Sequence, residues 1–317
     1  MRFKIFLTAF LLSLSFWWGI NLLEKNLEDI FFWQEVSQNT QIFTAQISPI
    51  SKPVLLESVE PPQIAAKSAI SVFLNDKKEM QVLFENNAEQ KLPIASLTKL
   101  MTALVVLENY DLSKEIKVSK EAVSQEETFG QLQAGRVFPV EYLLYPLLME
   151  SSNDAAFALS NDYEGMNEKK FVEMMNTKTK DLGLENTCFF NSSGLEPDNA
   201  KTKINYSTAN DLVKLTKYLL SFPKIWQILS TPKYNLYGPE LINTNELLFD
   251  ESLSWRIRIV GGKTGYADEA GGCMLLVLRA PKNKGLLINV VLGTANSNVK
   301  FEEMKKLVEW LNHAYRW

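Results

Sequence analysis

The sequence predicts an α/β fold of the α+β kind: an antiparallel sheet built from both ends of the folded region, flanked by helices and joined to a helical lobe. Three observations predict it. Two strand-like runs lie near the start of that region, at 68–74 and 80–86. A long middle section reads as successive apolar helices. The last third returns to strand-like runs and closes with a helix.

The chain opens Met1-Arg2-Phe3-Lys4, and residues 5–23 are almost wholly apolar and uncharged. At about 1.5 Å per residue, such a helix nearly spans a hydrocarbon core of roughly 30 Å. Arg2 and Lys4 precede the run and Glu24 follows it. That asymmetry puts the N-terminus in the cytoplasm and the remainder outside. No small-x-small site closes the run, and Trp17-Trp18 suits a membrane interface. Residues 1–24 therefore read as a single-pass membrane anchor, with a cleaved signal sequence as the other reading. Either one exports the rest to the periplasm or cell-wall side. Residues 25–65 carry Pro49, Pro53, Pro61 and Pro62 and read as an extracytoplasmic linker. The folded domain is expected over 66–317.

Within it, Asn75-Asp76-Lys77-Lys78 reads as the turn between the first two strands. Helices are expected at 96–109, 140–148, 153–161, 168–182 and 208–220. Strands follow at 255–260, 272–279 and 286–292, the last two joined by a turn at 281–285. A final helix is expected over 301–314.

Composition excludes several chemistries. The 317 residues carry a formal net charge of −4, with no clustered Lys/Arg stripe, so no nucleic-acid partner is expected. The lone histidine, His313, lies in the terminal helix, which leaves no basis for a histidine triad or a multi-histidine metal site. Cys188 and Cys273 form no CxxC pattern and read as two buried free thiols, with a single bridge between them as the other reading. No metal and no cofactor are expected.

Three motifs occur in order: Ser96-Leu97-Thr98-Lys99, Ser151-Ser152-Asn153 and Lys263-Thr264-Gly265. The first pattern is weak alone, since Ser221-x-x-Lys224, Ser230-x-x-Lys233 and Ser297-x-x-Lys300 also match it. Prolines inside the first two of these work against a shared helical face. Ser96 begins an apolar helix just after Pro93, so the bland reading is an N-cap. Lys99, however, stands one turn further on the same face, where it opposes the helix dipole. The positive helix end and any neighbouring cation would lower its pKa, so that a neutral amine could take the serine proton. Ser151 can relay a proton to a leaving amine and Asn153 can hold a substrate amide; Ser152 or Asn153 can also cap a helix. Lys263-Thr264-Gly265 lies at the end of the expected strand 255–260, where flanking glycines admit a ligand. A phosphate-binding loop would need glycine at Ile257 and a following helix, and has neither.

The flanks carry a resemblance. Pro93 to Leu104 around Ser96, Glu150 to Ala156, Asn191-Ser192-Ser193-Gly194-Leu195, Tyr206 to Leu212, and Gly262 to Tyr266 followed by Ala270-Gly271 resemble the low-molecular-mass penicillin-binding proteins, the S11 D-alanyl-D-alanine carboxypeptidases. The resemblance covers residues 66–317. It implies a five-stranded antiparallel sheet flanked by helices, a helical lobe and an active site between them. It implies Ser96 as nucleophile, Lys99 as base and backbone N–H groups of Ser96 and Tyr266 as oxyanion hole. Lys263, Thr264 and Gly265 would form the substrate-binding strand, with Lys263 and Thr264 on the terminal carboxylate. The partners implied are a peptidoglycan stem peptide ending in D-Ala-D-Ala, and β-lactams as covalent inhibitors.

Two departures matter. Many relatives carry a C-terminal β-rich domain and an amphipathic membrane helix; neither is expected before Trp317, and the N-terminal anchor would replace them. Lys300-Phe301 stands where relatives often have arginine, so Lys300 is expected to assist carboxylate binding without the bidentate fork. Glu196-Pro197 superficially resembles the deacylating loop of class A β-lactamases but reads as an ordinary loop acid. An endopeptidase on cross-linked peptidoglycan is the main alternative; a β-lactamase and a non-catalytic cell-wall binder are the lesser ones.

Overall fold

The computed structural model describes residues 52–57, 59–126, 132–196 and 203–317. The apolar run 5–23, with the anchor-or-signal reading of 1–24, lies outside the described residues, as does the linker up to residue 51. Among the described residues no helix is long and apolar enough to cross a membrane.

The domain's first long strand is β1 (Ala66–Leu74), buried from Ser68 onward. Asn75 turns the chain by accepting the Glu79 N–H on Oδ1 at 2.9 Å, and β2 (Met80–Asn86) returns antiparallel. The other strands come from the far end of the chain: β3 (Ile259–Ala267), β4 (Gly271–Arg279) and β5 (Leu286–Thr294). They form one five-stranded sheet in the order β3-β4-β5-β1-β2, with every neighbouring pair antiparallel. Successive residues of a strand face opposite sides, and β1 uses both. Ile70, Val72 and Leu74 join the core shared with the helical lobe. Ala69 and Phe73 join a second core against Met304, Leu307 and Leu311 of the terminal helix Val299–Ala314. This double burial explains the nearly continuous apolar run.

The lobe comprises α1 (Thr98–Asn109), α2 (Val140–Met149), α3 (Asn153–Phe157), α4 (Glu168–Asp181), α5 (Ala209–Leu219) and α6 (Pro223–Ser230). Caps fix where several begin. Asn167 accepts from the Lys170 N–H ahead of α4, and Thr208 from the Asp211 N–H ahead of α5. The terminal helix is α7 (Val299–Ala314).

Four local expectations differ from the structure. Arg256–Arg258 is a 3₁₀ turn, and β3 starts at Ile259, so Lys263-Thr264-Gly265 lies inside a strand rather than at its end. The helix α6 was unforeseen. Pro223 occupies its first turn, where a proline N–H is not needed, so the residue read as a breaker starts a helix. The helix expected over 153–161 is α3 followed by a π-helical turn, Ala158–Asp162. The described part of the expected spacer also packs on the domain. Val54–Leu55 pairs with Tyr315–Arg316, Ile64 is buried, and the Ala65 N–H donates to Glu303.

Candidate active site

Ser96 sits in the 3₁₀ turn Ala95–Leu97, immediately before α1. Its neighbour Ala95 has φ +44°, a left-handed conformation that costs a non-glycine residue energy and lifts the turn out of the helix path. The N-cap positions of this turn and of α1 are Ile94 and Leu97, so Ser96 is the N-cap of neither. Lys99, fully buried one turn on, donates from Nζ to Ser96 Oγ at 2.9 Å. The same ammonium group donates to Asn153 Oδ1 at 2.7 Å and to the Ser193 carbonyl at 2.6 Å.

The second motif is a buried connection between α2 and α3. Ser151 has φ +63°, a second strained position beside the nucleophile's cleft. Ser152 caps α3 by accepting the Ala155 N–H at 3.1 Å. Asn153 was expected to hold substrate; in this structure its Oδ1 meets Lys99 and its Nδ2 donates to the Glu126 carbonyl at 2.9 Å. Its visible work is to aim Lys99 at Ser96, while it also lines the cleft.

The third motif lies on β3. Lys263 is buried and donates to Ser151 Oγ at 2.9 Å and to the Thr264 carbonyl at 2.8 Å. Gly265 is where the strand meets the nucleophile's turn: a Cβ there would stand 3.1 Å from the Ser96 nitrogen. Tyr266 is the exposed residue after it, at the cleft edge. Lys300, at the start of α7, is buried and donates to Ser297 Oγ at 2.7 Å. The cleft, about 930 Å³, is lined by Ser96, Ser151, Asn153, Thr264, Tyr266 and Lys300, and extends to Thr244, Ile242 and Phe249.

Three lysines in so small a space shape the electrostatics. Burial pulls Lys263 well below the usual ammonium range, and the charges of Lys99 and Lys300 push it further. Burial brings Lys300 down to about 8. Among the described residues neither Lys263 nor Lys300 forms an ion pair. Such a site favours an anion.

Several supporting residues were not assigned roles from sequence. Gly194 (φ +85°) packs on the nucleophile's turn, and Asn205 Nδ2 donates to Thr98 Oγ1 at 3.0 Å and to Asn191. Thr102 Oγ1 donates to the Ser192 carbonyl at 2.5 Å. The 191–195 signature is therefore the cradle of the Ser96–Lys99 turn. Thr244, whose hydroxyl stands 2.7 Å from that of Thr264, carried no signal beyond the run Asn243-Thr244-Asn245. Glu196 accepts the N–H groups of Ala270 (2.9 Å) and Glu269 (3.0 Å), so it is a loop-fixing acid. Cys188 and Cys273 are free thiols, Cys273 buried and Cys188 half-buried. His313 is exposed on α7.

The chain matches, over residues 56–296, the family model described as D-alanyl-D-alanine carboxypeptidase, peptidase S11. It is 32% identical over 273 residues to the D-alanyl-D-alanine endopeptidase of Escherichia coli, covering 83% of this chain and 82% of that one. It is 31% identical to the carboxypeptidase DacF of Bacillus subtilis, over 79% of this chain and 64% of the longer relative. Among solved structures, it resembles penicillin-binding protein D2 of Listeria monocytogenes in its cefotaxime-bound form (TM-score 0.68, 28% identity, 80% of this chain and 99% of that one). It also resembles a mutant of the Streptomyces K15 DD-transpeptidase (TM-score 0.70, 27% identity, 80% and 100%). With the serine–lysine turn, the buried serine–lysine relay and the strand beside them in place, this chain belongs to the S11 D-alanyl-D-alanine carboxypeptidase family of serine peptidases.

Proposed function

We propose that the protein hydrolyses the bond between the two terminal D-alanines of peptidoglycan stem peptides, through an ester on Ser96. The observation that carries this is the 2.9 Å contact between the buried Lys99 ammonium and Ser96 Oγ. With the amine neutral, the contact reverses and Ser96 donates its proton to Lys99. Oγ attacks the carbonyl carbon of the penultimate D-alanine, and the developing oxyanion is received by the N–H groups of Ser96 and Tyr266. The C–N bond then breaks. Ser151, hydrogen-bonded to Lys263, delivers a proton to the departing amine and is reprotonated by the proton that Lys99 took from Ser96, which leaves Lys99 neutral again. Water attacks the ester, Lys99 takes its proton, and Ser96 is restored. Lys263, Thr264 and Lys300 hold the terminal carboxylate, and Gly265 lets the substrate backbone lie close to the strand. β-Lactams, which mimic the D-Ala-D-Ala end, acylate the same serine. Residues 5–23 hold the domain at the outer face of the membrane.

A second reading, cleavage of cross-linked peptidoglycan, is favoured by one feature. The cleft that Ser96 and Thr264 line also takes in Ile242, Thr244 and Phe249, and at about 930 Å³ it has room for more than alanine.

The test uses the full-length, detergent-solubilised protein with a stem peptide ending in D-Ala-D-Ala, and Ser96→Ala beside it. D-Alanine release by the wild type alone supports the first reading. Release only from cross-linked dimers supports the second. Absence of both, with no penicillin labelling of Ser96, overturns both. Resistance of the membrane-bound protein to carbonate extraction tests the anchor.

A further inference from the structure

Thr244 lines the cleft, yet the mechanism gives it no task. Its neighbours hold it firmly. Asn243 is buried; its N–H donates to the Pro232 carbonyl and its Nδ2 to the Thr231 carbonyl, both at 2.9 Å. The Asn243 Oδ1 accepts the N–H of the fully buried Asn245 at 2.9 Å. The N–H of Thr244 itself donates to the Met149 carbonyl at 2.9 Å, two residues before Ser151. The backbone at 244 is thus tied to both flanks and to the second motif. The side chain faces Thr264, with the two hydroxyl oxygens 2.7 Å apart.

One hydroxyl of such a pair donates and the other accepts. If Thr264 donates to Thr244, it has no proton left for a substrate carboxylate, which can only accept. If Thr244 donates, the Thr264 proton is free to point into the cleft. A bound carboxylate therefore selects the second arrangement, and a β-branched residue on a fixed backbone holds it with little rotamer freedom.

We propose that Thr244 is a positioning residue that turns the Thr264 hydroxyl toward the substrate's terminal carboxylate, and so sets the preference for a free carboxylate over an uncharged end. This rests on the reading that Thr264 contacts that carboxylate.

The test compares kcat/KM for one stem peptide as the free acid and as its C-terminal amide, in the full-length wild type, Thr244→Val, Thr244→Ser and Thr264→Val. In Thr244→Val the acid-to-amide ratio is expected to fall about fivefold, as loss of the one neutral hydrogen bond that orients the Thr264 hydroxyl implies. The fall should come through KM, and Thr244→Ser should restore the ratio. If Thr244→Val keeps the wild-type ratio, or loses both activities equally, the proposal is overturned while Thr264→Val still lowers the ratio. If Thr264→Val leaves the ratio unchanged as well, the carboxylate reading itself fails and the proposal with it.

Discussion

Gly194 rests against the carbonyl of Ala95, so closely that a Cβ on Gly194 would stand 2.1 Å from that oxygen. The loop from the second half of the helical lobe thus sets the height of the turn that presents Ser96. Gly194 also has φ +85°, which an L side chain adopts only under strain. Gly194→Ala must therefore displace the nucleophile's turn. Expected are a loss of stability of about 1–3 kcal/mol from the strained backbone alone, and a loss of acylation out of proportion to it. Thermal unfolding and the rate of penicillin labelling measure the two.

The carboxylate seat should titrate. Lys300, with its pKa brought to about 8 by burial, carries its charge below that pH and loses it above. KM for a free-acid peptide is expected to rise as pH passes through about 8, with kcat changing less. Lys300→Arg should abolish the rise, and Lys300→Ala should show a high KM independent of pH across this range. A KM for Lys300→Ala equal to wild type would remove Lys300 from the seat.

The same group has a stability signature. Its folded pKa lies below the ordinary 10.5, so between about 8 and 10.5 the unfolded chain binds the proton that the folded one has lost. Stability should rise with pH across that window, and Lys300→Met should flatten the rise. Lys263, displaced in the same direction, acts with the same sign. Denaturant titrations across the window read the slope.

Asp154 is buried beside Asn153, its Oδ1 has no hydrogen-bond partner among the described residues, and burial raises its pKa to about 6. Here the folded chain keeps a proton that the unfolded chain has released. Its stabilising share is complete below 3.8 and is lost as pH rises to about 6. Asp154→Asn is expected to gain up to about 3 kcal/mol at neutral pH, since each tenfold difference in proton affinity between the two states is worth roughly 1.4 kcal/mol. Urea unfolding of both proteins at acidic and neutral pH decides it: a gain of equal size at both pH values would show that burial of charge is not the cause.

Glu196 gives a cleaner negative. Its carboxylate is committed to the N–H groups of Glu269 and Ala270. Glu196→Gln should leave the lifetime of the penicilloyl-enzyme unchanged while costing about 1 kcal/mol of stability through one poorer hydrogen bond. A longer lifetime in the variant would make Glu196 a deacylating group.

The sequence made the reactive residues legible because their chemistry demands fixed types at fixed spacing. Ser96 and Lys99 share one helical turn whatever surrounds them. The sheet was legible for a similar reason, since β1, β4 and β5 are buried enough to read as apolar runs. The start of β3 was not, because Gly261 and Gly262 interrupt its pattern. Those glycines answer to tertiary neighbours: a Cβ on Gly261 would stand 2.9 Å from the Leu229 Cβ of α6. The helix α6 itself hid behind Pro223, which marks a start as readily as a break. Thr244 was illegible for another reason. Its partner Thr264 is twenty residues away, and only the packing of the intervening segment brings their hydroxyls together.

The sheet order has a consequence for how the molecule is made. β1 hydrogen-bonds to β2, its neighbour in sequence, and to β5, with Ala66 opposite Thr294. During synthesis the inner edge of β1 therefore stays unpaired until nearly the whole chain has emerged. Long-range pairing of this kind slows folding and leaves strand edges open to other chains. A product ending before Leu286 would contain Ser96, Lys99 and Lys263 and still lack the strand that closes the sheet. The sheet beside the nucleophile's cleft is thus closed only once β5 has been made.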